Sequence, residues 1–151
     1  ELAEIRKKKH YSHWVIAGAV GFACGLLCIL AGGDAPNAAV AFTAASTGYI
    51  IRFQILLKGF NNFLSLIVAA FVTSLIAGAD TVLGLGKAPE MTLSTAVLYL
   101  VPGVPLVNSV IDLLEGYFPA SLSRSLFAAS VLLCIAVGMT LSILLLGISN
   151  F

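Results

Sequence analysis

Charge is what this sequence has least of. Only 10% of its 151 residues are Asp, Glu, Lys or Arg, while 60% are apolar. A soluble domain carries roughly 25% charged residues. A globule of this size cannot bury so much apolar surface and keep a wettable exterior, so a free-standing soluble enzyme is excluded. Groups that perform catalysis or hold metals are also scarce. Cys24, Cys28 and Cys134 all lie inside apolar runs. They form neither a disulfide framework nor a zinc spacing and read as small buried hydrophobes. His10 and His13 have no third ligand nearby, so no metal is expected. Gly84-Leu85-Gly86 is too short for a nucleotide loop. There is no Gly-x-Ser-x-Gly, and Ala31 precedes Gly32-Gly33-Asp34, so the Gly-x-Gly-Asp of aspartyl intramembrane hydrolases is missed by one residue. Neither an enzyme, a cofactor nor a nucleic-acid partner is expected.

What is present is long apolar runs. A membrane-spanning helix needs ~20 mostly apolar residues, and the chain has material for five. Residues 1–13 form a basic juxtamembrane segment and residues 14–151 a five-span domain, with spans at about 14–31, 38–57, 63–79, 91–111 and 125–148. The predicted class is all-α, polytopic and embedded in a lipid bilayer. The first run is longer than a signal-peptide core and is followed by further spans, so it reads as a permanent helix. Tyr11 and Trp14 stand where interfacial aromatic anchors belong. The polar links are predicted at 32–37, 58–62, 80–90 and 112–123.

Basic residues orient the spans. With the amino terminus in the cytoplasm, Arg6, Lys7, Lys8, Lys9, Arg52, Lys58 and Arg124 fall on or toward that side, and Lys87 alone falls outside. The carboxyl terminus then ends outside. An odd number of spans also fits pairing with a second half in inverted orientation, a common transporter plan.

The most informative stretch is Val101-Pro102-Gly103-Val104-Pro105 in the fourth span. Each proline lacks an amide hydrogen and pushes its predecessor out of helical geometry. Gly103 removes the side chain between them. An interrupted helix is expected, and irregular backbone at membrane depth must be buried in protein or line a wet cavity. Pro105 suits the start of a new half-helix, whose positive dipole end could face a carboxylate. The plainer alternative is a proline kink without a ligand.

Asn108, Asp112 and Glu115 follow at spacings that put them on one face of that half-helix. Arg124 can pair with either acid. Glu115 reads as a solvated helix end, whereas Asn108 and Asp112 stand equally as path or structural residues. Arg52, within the second span, either faces a cavity and grips a carboxylate or snorkels to the surface. Thr43 and Thr47 share a face one and two turns deeper, lining a polar path or gluing helices together. Asp34 caps the second span or gates an exit. The candidate transport path is therefore Pro102, Gly103, Pro105, Asn108, Asp112, Arg52, Thr43 and Thr47, with Asp34 and Arg124 structural or gating.

The run Leu100-Val101-Pro102-Gly103-Val104-Pro105-Leu106-Val107-Asn108, continuing through Asp112 and Gly116 to Arg124, resembles the signature of the threonine/serine exporter family. The stretch from Gly32-Gly33-Asp34 through Thr43-Ala44-Ala45-Ser46 to Arg52 is similar to the family's second span. The resemblance covers nearly the whole chain, and in particular points to the larger subunit of a two-component bacterial inner-membrane exporter associated with succinate. It implies a cytoplasmic domain before the first span, absent from a chain that starts at Glu1. It also implies a second membrane part, fused or separate, and ion-driven export of a small carboxylate-bearing solute: threonine, serine or a dicarboxylate such as succinate. A homo-oligomer stays open. The competing reading is a non-transporting membrane scaffold or assembly subunit.

Overall fold

A computed structural model describes residues 12–84 and 86–147 of the chain. The basic cluster Arg6–Lys9, His10, Tyr11 and Leu85 lie outside the described residues. Those described form six α-helices and no strand: α1 His13–Leu30, α2 Ala35–Leu57, α3 Asn62–Leu83, α4 Pro89–Val97, α5 Gly103–Leu114 and α6 Phe118–Leu146. α1, α2, α3 and α6 are each long and apolar enough to cross a membrane, and α4 with α5 supplies a fifth, broken span.

Local chemistry sets the boundaries. Asp34 precedes α2, and Pro36 lies in its first turn, where a missing amide costs nothing. The Asn61 side chain accepts the Phe63 N–H at 3.1 Å and so caps α3. Gly84 ends α3 at φ 61°, a left-handed conformation that a side chain would strain. Two links differ from expectation. α3 runs on through Asp80 to Leu83, so Asp80 belongs to a helix and not to a connection. α6 begins at Phe118, so most of the polar stretch 112–123 is helical and the true turn is 115–117. The early polar residues of α6 are used: the Ser121 hydroxyl donates to the Ser109 carbonyl at 2.7 Å and ties α6 to α5.

The helices approach through small residues, as spans must where lipid gives no hydrophobic drive for association. α1 and α2 form an antiparallel hairpin, with Ala17 and Gly21 near Ser46 and Gly25 near Ala38. α2 lies antiparallel to α3, with Asn37 bonded to Asp80, Ala41 and Ala44 in one buried cluster with Ala77, and Gly48 against Thr73. α3 and α6 run parallel, since Phe63 meets Phe127 and Gly138 meets Ile67 and Ala70. A Cβ on Gly138 would press into the backbone of α3. α4 is wedged among α1, α2 and α3, while α5 leans chiefly on α6.

Candidate functional site

The predicted break is present. α4 tightens into a 3-10 turn at Leu98–Leu100, the chain extends at Val101, and α5 leaves at 67°. At the break, Gly103 N–H turns back to the Val101 carbonyl at 2.9 Å and Leu106 N–H bonds the Pro102 carbonyl at 3.2 Å. Pro105 has no amide hydrogen. Among the described residues, this leaves Val104 as the one first-turn amide that no backbone carbonyl accepts. The amino end of α5 thus offers a single donor, weaker anion chemistry than a cluster of amides. Gly103 and Val104 are exposed, and Pro102 and Pro105 are half-buried.

Inward from the break lies a polar group that the sequence reading only half foresaw. Tyr99, in the 3-10 turn, shares a hydrogen bond of 3.0 Å with the Thr73 hydroxyl of α3. Both pack against Gly48, where a side chain would collide with them. Arg52 sits one turn along α2 from Gly48, with its guanidinium in electrostatic reach of Tyr99. The Arg52 Nε is buried and, among the described residues, has no hydrogen-bond partner. Neither salt bridge among those residues involves it. A cation in an apolar bundle without an acid beside it costs free energy, unless an anion completes it.

A second polar group holds Asn37, about 22 Å from Arg52 along α2, and Asp80, about 10 Å from Thr73 along α3, at 1.5 Å per residue. Asp80 is fully buried. Its Oδ2 accepts from Asn37 Nδ2 and from the Thr92 hydroxyl, each at 2.6 Å, and Asn37 Nδ2 also reaches Thr92 Oγ1 at 3.0 Å. Asn37 Oδ1 in turn accepts the Asp34 N–H at 3.1 Å. Gly86 passes so close to Asn37 that any side chain there would displace it. Among the described residues, Asp80 Oδ1 has no partner. Asp80, Asn37, Thr92, Thr73 and Tyr99 were not among the sequence candidates. For Asp80 a signal existed: it continues the buried stripe Ala69, Thr73 and Ala77 at helical spacing.

The remaining candidates lie apart from these groups. Asn108 and Asp112 turn half-buried toward α6, while Glu115 is exposed. Arg124 donates to Asp112 Oδ2 at 2.5 Å, choosing Asp112 over Glu115. Arg124 and Asn108 line a groove of about 370 Å³ with Val104, Pro105, Ser123 and Phe127. Thr43 and Thr47 are exposed and bond back to their own helix, to the carbonyls of Val40 and Thr43. Asp34 stands at the start of α2 and faces Lys87 at 3.9 Å. His13 stacks on Phe53, with ring centroids 3.7 Å apart. No cluster of metal-ligating side chains occurs among the described residues.

The chain is 28% identical over 146 residues to "Probable succinate transporter subunit YjjP" of Klebsiella aerogenes, covering 96% of the chain and 57% of that protein. It is 29% identical over 142 residues to the protein of the same name in Escherichia coli, covering 93% and 56%. It is 32% identical over 151 residues to "Probable threonine/serine exporter" of Mycobacterium tuberculosis, covering 97% and 27%. The chain thus spans a little over half the length of the first two relatives and about a quarter of the third. No solved structure matches. The model of the family described as "Putative threonine/serine exporter" matches residues 1–146, and the chain belongs to that family of membrane exporters.

Proposed function

We propose that this chain is the membrane part of a secondary exporter for small carboxylate-bearing solutes, amino acids such as threonine and serine or a dicarboxylate such as succinate. The observation that carries this reading is Arg52: its buried Nε has no partner among the described residues, and its charge acts on Tyr99 in the turn before the break. A guanidinium holds a carboxylate with two parallel hydrogen bonds, and the Tyr99 hydroxyl is placed to join. The interrupted span Pro102-Gly103-Val104-Pro105 supplies the irregular backbone that lines a path in such carriers. Asn108 and Asp112 lie along its continuation, with Arg124 holding Asp112 at one end and Asp34 at the other end of the bundle. Thr43 and Thr47, outward on α2, join the path only with a second membrane part against that face. That second part, fused or separate, is included in the proposal, as are a bacterial inner-membrane location and a cytoplasmic amino terminus. The names of the relatives, an exporter and a transporter subunit, support the reading.

Counterflow in proteoliposomes containing the full-length protein and its second membrane part tests it. Wild type is expected to exchange labelled threonine, serine or succinate. Arg52→Gln is expected to lose at least about tenfold in exchange, the order of one lost charge-assisted contact of ~1.5–3 kcal/mol. Arg52→Lys keeps the charge but not the two-pronged geometry and falls between. Failure of all three solutes to exchange would leave the scaffold reading in its place.

A further inference from the structure

We propose that Asp80 is the seat of the coupling cation, a proton or a sodium ion lodging on Oδ1; this deepens the exporter reading and rests on it. Four observations converge. Asp80 is the one ionisable residue of α3 and is fully buried. Its two hydrogen-bond donors, Asn37 and Thr92, both go to Oδ2. Its other oxygen is buried and, among the described residues, unpartnered. No basic side chain among the described residues bridges to it. A carboxylate taken out of water demands compensation of its charge. Neutral donors on one oxygen supply part of that compensation and leave the other oxygen as a directed acceptor. A permanent lysine or arginine partner would fill the place for good, whereas an exchangeable cation fills it reversibly.

The surroundings suit exchange. α1 brings the buried Cys28 thiol into the cluster that holds Ala77 and Leu93. α2 brings Asp34, at its first turn, and Asn37. The 84–88 connection brings Lys87, but its ammonium faces Asp34 at 3.9 Å and is largely exposed. α4 brings Glu90, exposed, and Thr92. α6 carries only Cys134 and Arg124 as ionisable groups, and Arg124 is committed to Asp112. Asp80 lies less than one turn from the end of α3, just beneath the connection whose Gly86 presses on Asn37. When a proton or sodium ion arrives, Oδ1 gains a partner and the charge of the Asp80 carboxylate itself is neutralised. No other bond is made or broken.

The test uses the full-length protein with its second membrane part in liposomes, and the solute among threonine, serine and succinate that wild type exchanges. A pH gradient without sodium and a sodium gradient at equal pH separate the two cations. Asp80→Asn is expected to cut gradient-driven accumulation at least tenfold and to make the exchange rate independent of pH or sodium. Accumulation at the wild-type level, or exchange that follows pH or sodium as in wild type, overturns the proposal. A measurement on wild type decides where the variant fails to assemble. Dicyclohexylcarbodiimide reacts with protonated carboxyls in apolar sites, and mass spectrometry locates the adduct. Labelling of Asp80 that falls as pH rises supports a proton site, protection by sodium supports a sodium site, and no labelling at any pH overturns both. If wild type exchanges none of the three solutes, the exporter reading fails on its own and the labelling still decides the fate of Asp80.

Discussion

The two halves of the fourth span are separated by a break of two residues, Val101 and Pro102, and occupy different worlds. α4 buries Thr92, Leu93, Thr95, Ala96 and Val97 among three other helices, and Thr92 helps to hold Asp80. α5 buries Ser109 alone, and Val104, Val107, Val110 and Leu114 look outward. The difference teaches where polarity carries weight in a membrane protein. The Thr92 hydroxyl on α4 is locked to partners from two other helices, in a place where an unsatisfied group costs several kilocalories. A polar residue on α5 sits on the flank of the bundle and pairs with α6 near a helix end, where charge is cheaper. The break is therefore a border between a part built for buried chemistry and a part leaning on the outside.

Substitutions on either side of that border sharpen or break the contrast. The largest effect is expected from Asn37→Ala. It removes a donor from buried Asp80 and the acceptor for the Asp34 amide, and should cost about 3 kcal/mol in a denaturation series in detergent. Asp112→Asn comes next. The Asp112–Arg124 bridge is partly exposed, with Arg124 48% accessible, so its loss is expected to cost no more than about 1 kcal/mol. Val107→Ala should be smallest, within about 0.5 kcal/mol, because that side chain touches no packed core. If Val107→Ala destabilised as much as Asn37→Ala, α5 would be an integral part of the bundle and the contrast would fail.

Most of the architecture was legible in the sequence because lipid imposes simple rules. Apolar runs located the five spans, and Pro102 and Pro105 announced the break through their missing amides. What the runs concealed were helices that continue through polar residues. Asp80, followed by Gly84 and Gly86, has the composition of a loop, yet the buried stripe of α3 extends through it because Asn37 and Thr92 arrive from other helices to bond it. Ser121 and Arg124 likewise look like a link, but they serve α5 from within α6. The family signature was carried by the break and its continuation. The polar group of Arg52, Tyr99 and Thr73 was visible only in its first member. Tyr99 and Thr73 meet through tertiary packing across Gly48, which no local spacing encodes. Thr43 and Thr47 do share a face, but neighbouring helices decide where that face points.

The central claim is that the break borders a wet path for a solute. Single cysteines at positions 101 and 104, in a protein whose Cys24, Cys28 and Cys134 are alanine, test it most directly with a membrane-impermeant maleimide. The expected result is that both positions react and that the transported solute slows the reaction. Silence at both, while a cysteine replacing the exposed Lys87 reacts, would place the break in lipid and contradict the claim.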